Sequence, residues 1–211
     1  NNLPLPPEES DTISRPDFLS SAAILQPANY DIVGGQVDIR GSMNDEDMTF
    51  WQLSYGEGTN PLRWTDLGDS QPEFVPGVSL GTWDTRGLDG TYVLQLQVVR
   101  EDNTTEYGYV QVTVDNIPPS VILSTADNVT AIRWPEQQNV TLVAESVDNI
   151  SIDRVEFYLN GQFINADSDF PYEYTHSINR TGIEVFTAVV YDAVGNNSET
   201  ELTIEVVRSS G

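Results

Sequence analysis

From Val37 onward, apolar and polar residues take turns along the chain. Val37 and Ile39 alternate with Asp38 and Arg40, and Trp51, Leu53 and Tyr55 with Gln52 and Ser54. The same period holds for Tyr92, Leu94, Leu96 and Val98, and for Val110, Val112 and Val114. After Ile117-Pro118-Pro119 it resumes in Val140, Leu142 and Ala144, in Val155, Phe157 and Leu159, in Phe186, Ala188 and Val190, and in Leu202, Ile204 and Val206. A period of two puts alternate side chains on opposite faces of an extended strand, one face buried and one wet. No run carries the 3.6-residue period of an amphipathic helix over helical length. The expected class is all-β.

The alternation also repeats as a block. At an offset of 92 residues Gly90 falls on Gly182, Leu94 on Phe186, Leu96 on Ala188 and Val98 on Val190. Val110, Val112 and Val114 then fall on Leu202, Ile204 and Val206 without a gap. Val37 falls on Val140 at 103, and Trp51 on Val155 at 104. The change from 104 to 92 leaves the first copy some 12 residues longer, within the segment 56–85. Spacing of this kind predicts two tandem β-sandwich domains, each of two short antiparallel sheets. The expected boundaries are an extended Pro-rich acidic linker over 1–20, a first sandwich over 21–117 that carries the insertion, and a second over 118–208. Pro118-Pro119 ends one strand and stiffens a short joint, so the modules are expected to stack end to end.

Composition narrows the setting. With 38% hydrophobic residues the chain can fill cores, and no stretch approaches the roughly 20 apolar residues of a membrane-spanning helix. Direct membrane insertion is therefore not expected. Net charge is −24, from 33 acidic and 9 basic residues, and every basic residue is Arg. Such a polyanion repels nucleic acid and anionic headgroups. Cysteine is absent, which removes thiol catalysis, thiolate metal sites and disulfides, and points to a prokaryotic chain. The six N-x-S/T tripeptides, at Asn103, Asn128, Asn139, Asn149, Asn179 and Asn196, are then read as chance. A first residue of Asn rather than Met is the start expected of a mature or excised piece of a longer protein.

One motif proposes catalysis. Gly77-Val-Ser79-Leu-Gly81 matches the G-x-S-x-G nucleophile elbow, which needs a strand before the serine and a helix after it. The next residues are Thr82-Trp83-Asp84-Thr85-Arg86-Gly87, a poor helix former. The single histidine, His176, lies in the other copy, where its alternation with Tyr172, Tyr174 and Ile178 reads as strand packing. The abundant carboxylates single out no glycosidase pair. No catalytic residue is expected.

Two binding readings remain. Asn44-Asp45-Glu46-Asp47, Asp115-Asn116, Asp148-Asn149 and Asp192…Asn196 gather oxygen donors at strand ends, as calcium requires. Asp45, Asp47, Asp115, Asp148 and Asp192 are the candidate ligands, although Asx turns account for the same residues without metal. None matches the EF-hand pattern. Trp64 and Trp83 lie in the insertion, where an exposed pair would stack on sugar rings and a buried pair would cover a core edge. Trp51 and Trp134 are read as packing residues.

Val155-Glu-Phe157-Tyr-Leu159-Asn-Gly161, Pro171-Tyr172 and Ala188-Val-Val-Tyr-Asp192-Ala-Val-Gly195-Asn196 resemble the bacterial Ig-like module of surface proteins, with its V-E-F-Y-x-x-G, P-Y and A-x-x-x-D-x-x-G-N pattern. The match spans nearly all of 120–207, with His176 where the module often has an aromatic. Gly56-Glu-Gly58, Pro61, Trp64, Leu80-Gly-Thr-Trp83-Asp84-Thr and Leu88-Asp-Gly90-Thr-Tyr92 resemble a related Ig- or fibronectin-III-like module. Such modules occur in C-terminal extensions of class A penicillin-binding proteins and in secreted subtilisin-like proteases. The resemblance implies a non-catalytic, extracytoplasmic accessory or spacer region whose partners are other domains of the parent chain, a cell-wall glycan or an envelope protein. The transpeptidase S-x-x-K, S-D-N and K-T-G motifs are absent from the chain.

Overall fold

The computed structural model describes residues 22–44 and 46–209; the expected linker over 1–20 and the candidate ligand Asp45 lie outside them. Among the described residues every regular element is a strand, and no helix is long and apolar enough to cross a membrane. The period-two segments of the sequence are β3 (Gln36–Met43), β4 (Met48–Glu57), β7 (Gly90–Arg100) and β8 (Thr105–Val114), then β11 (Asn139–Val147), β12 (Ile152–Leu159), β15 (Gly182–Asp192) and β16 (Asn197–Arg208).

Shorter strands complete the sheets. These are β1 (Ala22–Gln26), β2 (Ile32–Val33), β5 (Thr65–Asp66) and β6 (Gly81–Asp84), followed by β9 (Ser120–Thr125), β10 (Ala131–Trp134), β13 (Gln162–Asp167) and β14 (Glu173–Ser177). In the first half, the sheet β1-β3-β6 faces the sheet β2-β8-β7-β4-β5; in the second, β14-β11-β9 faces β10-β16-β15-β12-β13. The two halves thus repeat one order strand for strand, as two tandem Ig-like sandwiches. β7 and β15 begin and end 92 residues apart, and β8 and β16 begin 92 apart. The extra length of the first half falls between β4 and β6, where β5 is only a two-residue pairing on Tyr55 and Ser54.

In each half the opening strand divides between sheets. β1 pairs antiparallel with β3 and β9 with β11, whereas β2 runs parallel to β8 and β10 parallel to β16. Thr113 N–H donates to Asp31 and Asp115 N–H to Val33, and Glu205 N–H donates to Thr130. The inner faces carry the predicted residues: Leu94, Leu96 and Val98 are wholly buried in the first half, and Val155, Phe157, Phe186, Ala188 and Val190 in the second. At the β12–β13 hairpin Asn160 and Gly161 take φ of +49° and +80°, the pair of left-handed residues that a two-residue type I′ turn demands.

One buried carboxylate holds that hairpin in place. Glu184, 4% exposed, accepts from Arg180 Nε at 2.8 Å and Nη2 at 3.2 Å, and from Asn160 Nδ2 at 2.8 Å. Asn160 Oδ1 in turn accepts from Val185 N–H. The Arg180 hydrogen bonds hold the Glu184 carboxyl below the usual range, with Asn160 contributing and burial opposing. Because the folded value is lowered, this group stabilises the fold above the ordinary glutamate range, and that stabilisation is lost as pH falls below about 4.3. Arg180 is largely exposed, so screening limits the effect. Glu184→Gln is expected to cost about 1 kcal/mol at pH 7, and the difference from wild type in urea midpoint should shrink near pH 3.

The described residues divide into two compact units, one of which gathers Tyr30–Val37, Trp83–Tyr92 and the residues from Gln111 onward. That unit holds a cluster of three aspartates at the ends of its strands.

Candidate functional site

The elbow reading of Ser79 fails on local geometry. The residues after it enter β6 and not a helix, so nothing presents Oγ on a strained turn or aims a helix terminus at an oxyanion. The hydroxyl donates to the Asp38 carboxylate, and Leu80 N–H donates to Ile39 O at 2.8 Å. Ser79 thus helps pin the incoming loop against β3. His176, on β14, sets its ring edge-on to Phe186 at 5.5 Å and tilted against Tyr174 at 6.3 Å. Burial pushes its imidazole down, as befits a packed strand residue.

The candidate tryptophans part company. Trp83 is 1% exposed and meets Tyr92 edge-on at 5.7 Å, so it is a core residue and no exposed Trp64–Trp83 pair exists. The reason lies in β6, whose alternation turns Thr82 and Asp84 outward and Trp83 inward. Trp64 is 37% exposed and leans on Tyr109, 6.2 Å away, which stacks in turn on Tyr107 at 5.8 Å. Gln95 and Gln97 donate to the hydroxyls of Tyr109 and Tyr107. The sequence held the signal for these two tyrosines. With Gly108, Val110 and Val112 turned inward, Tyr107 and Tyr109 must share the outer face of β8.

The five candidate calcium ligands divide as well. Asp47 sits in the β3–β4 turn, where its carbonyl accepts from Glu101 N–H. Arg100 fills that turn, donating to the Glu46 and Asn44 carbonyls and pairing with Glu106 at 3.0 Å. A guanidinium thus takes up two of the carbonyls of that turn. Asp115, Asp148 and Asp192, by contrast, come together: each offers a carboxylate oxygen within 4.8 Å of the others. Asp115 follows β8, Asp148 follows β11 and Asp192 ends β15; up to 77 residues of chain separate them.

Each aspartate fixes its own turn with one oxygen. Asp115 Oδ1 accepts from Ile117 N–H at 3.3 Å; Asp148 Oδ2 accepts from Ile150 and Ser151 N–H at 2.8 and 2.9 Å; Asp192 Oδ1 accepts from Val194 and Asn196 N–H at 3.0 and 2.8 Å. Asn196 joins two of these turns, donating from Nδ2 to Asp192 Oδ2 at 2.7 Å and to the Asp115 carbonyl at 3.3 Å. Asx turns thus account for half of what the carboxylates can do. Asp115 Oδ2 and Asp148 Oδ1 are buried and receive no hydrogen bond. Burial pushes the Asp115 carboxyl up; the charges of Asp148 and Asp192 add to this, while Ile117 N–H and Asn149 oppose it. The neighbouring Asn116 is fully engaged elsewhere, accepting from Gly35 N–H and donating to Thr85 and Leu88 carbonyls.

A family model and one set of solved modules agree with this fold. Residues 118–206 match the family model of the bacterial Ig domain. No curated protein sequence matches the chain. Among solved structures, the fibronectin(III)-like modules of Clostridium thermocellum CbhA superpose with a TM-score of 0.51 at 17% identity, covering 89% of this chain and 94% of that one. Murine CEACAM1b gives 0.43 at 13% identity over 88% and 98% of the two chains. A 1.5-MDa bacterial ice-binding adhesin gives 0.39 at 14% identity over 85% and 62%. Of the three only the CbhA modules superpose above a TM-score of 0.5, and at 17% identity they speak to fold alone. The chain is a tandem of two Ig-like β-sandwiches, the second matching the bacterial Ig domain over residues 118–206.

Proposed function

We propose that the chain is a non-catalytic spacer and accessory region of a larger bacterial envelope protein, working outside the cytoplasm, of the kind that extends class A penicillin-binding proteins at their C-terminal end. The observation that carries this reading is the duplication itself: one strand order repeated, with the inward-facing residues of both copies committed to packing. Its first partners are then other domains of the parent chain. The uniform acidity keeps such a region soluble and away from anionic surfaces. The coding sequence upstream tests the context. A glycosyltransferase–transpeptidase there supports it, and a subtilisin-like protease replaces it with an accessory role in a secreted protease.

A second reading, carbohydrate or peptidoglycan binding, is favoured by the aromatic row Trp64, Tyr109 and Tyr107 with its amide neighbours Gln95 and Gln97. Aromatic faces beside hydrogen-bonding groups suit the apolar faces and hydroxyls of sugar rings. Soluble peptidoglycan fragments should quench tryptophan emission in the wild-type protein and leave Trp64→Ala unchanged. A flat wild-type titration rejects this reading and leaves the spacer.

A further inference from the structure

We propose that Asp115, Asp148 and Asp192 bind a calcium ion. Local structure explains only part of these carboxylates. One oxygen of each aspartate closes its own turn, but no turn requires the second oxygen of Asp115 or of Asp148. Asp115 is 0% exposed, and a buried acceptor without a donor costs stability unless something else satisfies it. Three carboxylates at this range also repel one another. Among the described residues no ion pair involves any of the three; the pairs Arg40–Asp38, Arg86–Asp84, Arg100–Glu106, Arg154–Asp153, Arg154–Glu156 and Arg180–Glu184 all lie elsewhere.

A cation resolves both difficulties at once. The ligating oxygens lie within 4.8 Å of one another, no farther than two calcium–oxygen bonds of roughly 2.3–2.6 Å laid end to end. The donor set is carboxylate alone, which selects hard cations over zinc or copper. Magnesium needs near-ideal octahedral geometry at about 2.0–2.1 Å and keeps most of its water. Calcium accepts irregular coordination, with carbonyl and water oxygens filling the remaining positions. The ligands are held in advance. Asn196 ties the Asp115 backbone to the Asp192 carboxylate, and Gly34 packs so near that a Cβ there would lie 2.6 Å from the Asp115 carbonyl. Bound calcium joins the end of β8 to the loops after β11 and β15 within a single compact unit.

The test is isothermal titration calorimetry of the full chain, stripped with chelator and titrated with calcium chloride or magnesium chloride, alongside thermal melts. Binding of about one calcium is expected, with a dissociation constant on the order of 10⁻⁴–10⁻³ M as in extracellular calcium modules. Saturating calcium should raise the Tm by about 5 °C or more. Asp148→Asn keeps an acceptor for Ile150 and Ser151 but removes charge, and should weaken binding about tenfold or more. Far-UV circular dichroism checks its fold, and Asp115→Asn is the second variant, with the same expectation. Absence of calcium heat in the wild type overturns the proposal. So does equal binding in wild type and variant, which would mean diffuse condensation on an acidic chain, or an equal response to magnesium.

Discussion

Trp83→Ala is expected to lower the unfolding free energy by about 3–5 kcal/mol. The indole is 1% exposed, it is the largest of the fully buried side chains among the described residues, and its edge contact with Tyr92 goes with it. Removing it costs the transfer free energy of the ring and leaves a void that β strands, tied by their ladders, cannot close. Domains of this size have only about 5–15 kcal/mol to lose, so the Tm should fall by roughly 12 °C or more. Urea denaturation followed by circular dichroism measures the loss. Trp64→Ala is the paired control. Its ring lies on the outer face of the sheet, and its removal should cost about 1 kcal/mol or less. Equal losses for the two would place Trp83 outside the core.

Phe157→Ala is the counterpart in the second sandwich, with an expected loss of about 3–5 kcal/mol. Phe157 is wholly buried on β12 and its ring lies 6.0 Å from that of Tyr174 on β14, in the facing sheet. It therefore bridges the two layers at the centre of a core that also contains Val155, Phe186, Ala188 and Ile204. Phe157→Leu retains most of the volume and should cost less than half as much. If the alanine and leucine variants melt together, the volume of the side chain is not what this site requires.

The strands that supply the cores were plain in the sequence because half-burial imposes a period of two, and eight long segments satisfy it. The 92-residue offset in β7 and β15 survives in the structure because the same hairpin is built twice. The short strands were not legible. β2 and β5 have two residues each, too few for any period, and their pairing depends on which distant edge is open. Trp83 shows a finer limit. Four residues of β6 carry one inward position, and nothing local says which tryptophan of the insertion occupies it.

The acidic cluster marks the same limit at the candidate site. Asp115, Asp148 and Asp192 each stand out in sequence as a turn acid at the end of a strand. Asp47 stands out in the same way, yet Arg100 closes its turn. What separates them is which loops converge after folding, and that depends on strand order rather than on any spacing along the chain. Unsatisfied second oxygens are likewise visible only once the turn hydrogen bonds are known.

The parallel pairing of β2 with β8 and of β10 with β16 has a mechanical consequence. In each half an early strand lies alongside the last one, both running the same way. A pull on the two ends of such a half drags these neighbours past each other lengthwise. Their hydrogen bonds are then loaded in shear and must yield together, whereas a hairpin pulled from its open end unzips bond by bond. Resistance to tension in each module therefore rests on the backbone bonds between these paired strands, among them Thr113 to Asp31 and Asp115 to Val33 in one and Glu205 to Thr130 and Ser209 to Trp134 in the other.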